Sequence, residues 1–129
     1  MFTGRPLPPL PPVVTKANWA AGFVHICQQS ALDFGSDRGI PVPSRPVVEV
    51  RADGVRIVVL PCTSKTQSTN PEFFELTPER IHWVRVDVTR SYAFYRYETV
   101  PVNALIGKKI GTMTHPARID LMNWLKERY

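Results

Sequence analysis

Over most of its length the chain carries short apolar runs rich in β-branched and aromatic residues. They are interrupted by glycine, proline and small polar residues, which is the pattern of strands joined by turns. Gly22-Phe23-Val24-His25-Ile26-Cys27 reads as a first strand. Arg45-Pro46-Val47-Val48-Glu49-Val50 opens a second, and Pro46 holds Arg45 extended and suits only a strand's entry. Ala52-Asp53-Gly54 signals a hairpin, with Asp-Gly suited to a primed turn. The return run from Val55 to Pro61 is the most apolar in the chain and predicts a central strand. Phe73-Phe74-Glu75-Leu76 predicts a further strand and Thr77-Pro78-Glu79-Arg80 a tight turn. In His82–Val88, alternation sets Trp83, Arg85 and Asp87 on one face and His82, Val84, Val86 and Val88 on the other. Ser91–Tyr97 reads as one more strand, Thr99–Leu105 as a crossing segment with a short 3₁₀ turn, and Ile106–Met113 as a strand flanked by glycine.

The pattern then changes period. Leu121, Leu125 and Tyr129 recur at every fourth position, with Ile119 and Met122 beside them and charged residues opposite. This predicts an amphipathic helix docked on a sheet, with Thr114 as N-cap and Pro116 in the first turn. Several short strands and one terminal helix make a mostly β domain, a small barrel or rolled sheet.

Two segments stand apart. Residues 1–16 hold five of the thirteen prolines and predict an extended stretch, which with a short helical turn at 18–21 makes a proline-rich arm over 1–21 ahead of a barrel domain at 22–129. The arm's PxxP spacing would suit an SH3 or WW module, although a plain stiff leader accounts for it as well. Residues 28–44 form a long polar connection, and Cys62–Pro71 a second polar loop.

The 129 residues carry sixteen Lys and Arg against eleven Asp and Glu, for a formal charge of +5. Residues 51–129 hold most of the excess, so any basic surface for a polyanion belongs there. Two cysteines with no CxxC and no Cys/His spacing give no zinc site, and Cys27, in an apolar run, reads as a buried reduced thiol. No apolar run nears the ~20 residues of a membrane span, and prolines interrupt any leader-like run. A soluble, cytoplasmic protein with no metal or cofactor is the expectation.

Candidate chemistry is sparse. No phosphate-cradling glycine loop and no carboxylate pair stand out. His25 and His82 read as strand histidines satisfied by one hydrogen bond, and His115 as a solvated helix-start residue. The sharper constellation is Arg45 with Thr63-Ser64, each at a strand edge beside a long polar loop. A guanidinium suits the charge that develops on a phosphodiester, and hydroxyls suit holding a phosphate oxygen.

These segments, taken in order, resemble the MazF/PemK family of RNA-cleaving toxins. Gly22-Phe23-Val24-His25-Ile26 is similar to the family's opening strand. Arg45-Pro46-Val47-Val48 is similar to its Arg-Pro motif, and Ile57 to Lys65 to its apolar strand running into a Pro-x-Thr-Ser/Thr loop. Leu105–Thr112 and the terminal helix are similar to its Gly-Lys-x-Gly-Thr stretch and last helix. The resemblance implies an SH3-like, PemK-like barrel, and a homodimeric, metal-independent endoribonuclease acting on single-stranded RNA under the control of an antitoxin peptide. It implies Arg45 and Thr63 as catalytic residues, with Ser64, Lys65 and Arg38 along the RNA path. Two departures stand out. The 28–44 connection lacks the family's Gly-Ser-Glu-Gln-type run, and Arg96-Tyr97-Glu98-Thr99 places an acid where the family has a base. The alternative is a barrel of this kind that binds RNA or protein without turnover.

Overall fold

The computed structural model describes residues 22–37, 42–65, 69–84 and 91–129. The proline-rich arm, the 18–21 turn, Arg38 and residues 85–88 lie outside them. Eight strands form one antiparallel sheet: β1 (Phe23–Gln28), β2 (Ser44–Asp53), β3 (Arg56–Thr63), β4 (Phe73–Leu76), β5 (Ile81–Trp83), β6 (Ser91–Phe94), β7 (Glu98–Pro101) and β8 (Leu105–Met113). Among the described residues one α-helix, α1 (His115–Lys126), follows. The strand order is β4-β6-β3-β2-β1-β8-β5, with β7 also pairing β3. The end strands β4 and β5 are joined by the Thr77–Arg80 turn, so the sheet curls into a nearly closed barrel. The expected mostly β barrel with a C-terminal helix is therefore present.

β3 is central, as its run of valine, isoleucine and leucine requires: β2 covers one edge, and β6 and β7 share the other. The Ser91–Tyr97 strand expected as one piece is cut at Phe94, and Thr99–Pro101, expected as a crossing, continues as β7. The cut lies opposite Leu60-Pro61, between the pairs Cys62↔Ala93 and Val59↔Glu98. Pro61 has no N–H to give a ladder there. The freed backbone turns to the end of the chain instead: the Tyr129 hydroxyl donates to the Tyr95 carbonyl at 2.9 Å and accepts from the Tyr97 N–H at 3.3 Å.

Two further expectations shift. The hairpin loop is Gly54-Val55 rather than Asp53-Gly54: Asp53 still pairs with Arg56, and Gly54 at φ +65° takes the one left-handed position. Cys62 and Thr63, expected in a loop, complete β3. In β5 the two faces divide as expected, but His82, read as a satisfied strand histidine, lies on the solvent side. Ile81 is buried, Trp83 is half-buried, and His82 and Val84 are exposed. The register Ile81↔Met113 and Trp83↔Gly111 against β8 turns those two inward, and the β-branched appearance of Val84 does not decide the face.

The sheet packs on both sides. Val24, Val48, Val58, Leu60, Cys62 and Leu76 face Ala117, Leu121 and Leu125 of α1 in the main core. Thr114 caps the helix by accepting from the Ala117 N–H at 3.3 Å, while Ile119, expected beside the docked stripe, points to solvent. The opposite face carries a smaller cluster of Cys27, Val47, Ile57, Val59 and Val100. Leu32 and Ala104 cover it from the 3₁₀ turns Gln29–Ala31 and Val102–Ala104 and their edges.

Candidate functional site

Cross-strand partners share a sheet face. Cys27↔Arg45 and Val47↔Pro61 are paired, and the Arg45 guanidinium reaches the Cys62 carbonyl, one residue before Thr63. The fold thus brings the two expected catalytic residues side by side, on the face that carries the smaller cluster. The reason is local: Arg45 opens β2 just after the long connection, and Thr63 is the last residue of β3.

Arg45 is not the solvated rim charge that its place before a strand suggests. It is 6% exposed. Its Nε donates to Gln29 Oε1 at 2.6 Å, and its Nη1 donates to the Cys62 carbonyl at 3.0 Å. Its guanidinium carbon lies 4.8 Å from the centre of the Phe34 ring. A guanidinium so held is orientationally fixed, and the polar partners offset its desolvation. Thr63 is half-buried beside it, and its Oγ1 accepts from the Lys65 N–H at 3.2 Å. That bond leaves the hydroxyl proton available for another acceptor. Ser64 and Lys65 are exposed in the turn that follows. Of the five expected site residues the structure groups four; Arg38 lies outside the described residues.

The remaining parts of this corner escaped sequence reasoning. Gln29 is buried and bridges two groups, since its Nε2 donates to the Phe34 carbonyl at 2.6 Å while its Oε1 serves Arg45. Gly35 sits at φ +80°, and a methyl group there would overlap the Arg45 guanidinium. Glu98, reaching over from β7, accepts from two successive backbone groups: the Asp33 N–H at 2.7 Å on Oε1 and the Phe34 N–H at 3.0 Å on Oε2. Glycine after an Asp-Phe pair in a polar loop is a turn signal. Nothing in the sequence tied that turn to Arg45 or to Glu98.

Cys27 lies in the adjacent row and is fully buried. Burial, with the nearby Glu98 charge second, pushes its thiol up to about 11. It is a free, inert thiol, as its apolar setting predicts. Farther along the same face His25 is half-buried and its Nδ1 pairs with Glu49 Oε2. This gives His25 the single partner expected of a strand histidine. Burial holds the Glu49 carboxyl above the usual carboxylate range against the opposing pull of His25 and Lys109. His82 and His115 are exposed.

Among the described residues no group of three or more His, Cys, Asp or Glu is arranged to hold a metal ion, and no helix is long and apolar enough to cross a membrane. An open groove lies elsewhere, lined by Pro71, Glu72, Tyr95, Glu127 and Arg128. Its cation is engaged structurally, because Arg128 donates to the Pro71 and Trp124 carbonyls. The expected site residues gather instead at the corner around Arg45. No family model matches this sequence, and no curated protein matches it.

Proposed function

We propose that the chain is a toxin-type endoribonuclease that cleaves single-stranded RNA without a metal ion, at the corner formed by Arg45 and Thr63. The observation that carries this reading is a fixed guanidinium and a hydroxyl with a proton left to donate at adjacent strand ends, beside the exposed Ser64 and Lys65. In the proposed reaction a ribose 2′-oxygen bonds to the adjacent phosphorus and the bond to the 5′-oxygen breaks. The products are a cyclic phosphate and a 5′-hydroxyl, and the proton lost from the 2′-hydroxyl is balanced by one delivered to the leaving oxygen. Arg45 stabilises the charge on the phosphate or supplies the leaving-group proton, Thr63 holds a non-bridging oxygen, and Ser64 and Lys65 line the strand's path. On this reading the working form is a homodimer whose RNA groove an antitoxin peptide covers.

Purified protein is expected to cut mixed single-stranded RNAs in the presence of chelator and to leave cyclic phosphate ends. Thr63→Ala and Arg45→Lys are each expected to lower the rate about 100-fold or more, with Thr63→Ser restoring most of it. The burial of Arg45 favours a second reading, a barrel that binds RNA or protein without turnover. RNA left uncut by the wild-type protein would establish that reading over the first.

A further inference from the structure

Glu98 is the group that the nuclease reading leaves unused, and its surroundings are specific. Its two carboxylate oxygens sit on the successive N–H groups of Asp33 and Phe34. The next residue, Gly35, has a left-handed backbone. Successive amides leading into such a residue form a concave cradle for an anion. The same short segment lies against Arg45, through the Phe34 ring, through the Phe34 carbonyl by way of Gln29, and through Gly35. A carboxylate donated from another strand thus fills an anion cradle that adjoins the proposed catalytic arginine. β7 would pair with β3 through its backbone whatever side chain stood at position 98, so the fold of the strand does not require an acid there.

We propose, resting on the nuclease reading above, that the Asp33 and Phe34 amides are a subsite for a phosphate of the RNA strand neighbouring the scissile one. Glu98 occupies that subsite in the free protein as an internal substitute. RNA then binds by exchanging one anion for another, so Glu98 sets a threshold that weakens the grip on RNA and restrains cleavage. The recognised ligand class is a phosphate diester, and the cradle reads no base. Glu98 also holds the 33–36 turn, and a purely structural latch would look the same in the free protein. The two roles differ in whether an external anion can take its place.

The test uses the full chain and backbone amide resonances. In Glu98→Ala the Asp33 and Phe34 amides are expected to lose exchange protection. Inorganic phosphate, or a 2′-deoxy dinucleoside monophosphate that cannot be cleaved, is then expected to restore it. Both probes are expected to shift those two amides at concentrations about tenfold or more below those that shift them in the wild type. Glu98→Gln, which keeps the shape and removes the charge, is expected to fall between the two and guards against a folding defect in the alanine variant. The proposal is overturned if neither variant's Asp33 and Phe34 amides respond to phosphate more strongly than those of the wild type. It is equally overturned if chloride at matched ionic strength does as well. The nuclease reading fails separately: wild-type protein that leaves RNA uncut while Glu98→Ala binds phosphate removes the reaction and keeps the anion site.

Discussion

Cys27 and Cys62 flank Arg45, one across the strand pair and the other through its carbonyl, and both thiols are fully buried. Burial raises the Cys62 thiol to about 12 and the Cys27 thiol to about 11, from an ordinary 9.0. For an acid held neutral in the folded state, stability is intact below the unfolded value and is lost as pH climbs toward the folded one. Denaturation midpoints are therefore expected to hold up to pH 8 and fall above about 9. Each thiol accounts for about 1 kcal/mol by pH 10. A Cys27→Ala, Cys62→Ala variant is expected to show a flatter decline over that range, whatever its stability at pH 8. At this scale the sequence was partly readable. Cys27, closing an apolar run, announces its burial and Cys62, expected in a polar loop, does not, while the burial of Arg45 depends on Gln29, Phe34 and a distant carbonyl, which no local pattern connects.

Elements were legible where one strong periodicity met one clear partner. α1 declared itself through Leu121 and Leu125, and its start through Thr114 and Pro116. Ile119 misled because, at about 100° per residue, it lies nearly opposite the stripe of Ala117, Leu121 and Leu125. Thr114→Ala is expected to cost about 1 kcal/mol and Leu121→Ala about 2–5 kcal/mol, measured by denaturant unfolding. Thr114→Ser, which keeps the capping oxygen, is expected to cost little. In β5 alternation separated the faces without saying which turns inward, and the pairing with β8 made that choice. The long polar connection hid a 3₁₀ turn and the Phe34–Gly35 corner, because satisfying Arg45 and Glu98 is a tertiary matter.

In the molecule as a whole, the sheet has an apolar core on each side and the proposed site at one corner of the smaller one. The barrel class followed from composition and turn spacing. The corner followed only in outline, because Arg45 and Thr63 were visible as strand-end residues while the groups that fix or cover them come from three other segments. Pro61 leaves a gap in the strand beside β3, and Tyr129 fills it by bonding to both Tyr95 and Tyr97. The end of the chain and the middle of the sheet are therefore expected to open as one cooperative unit. Hydrogen exchange of the Tyr97 amide should track that of the last turn of α1, and Tyr129→Phe should speed both while leaving β1 and β2 unchanged. Replacing Pro61 with valine would supply the missing N–H and let Tyr95–Tyr97 compete for the ladder. Such a repair of the sheet would unfasten the helix, so the missing hydrogen bond serves as a socket in this fold.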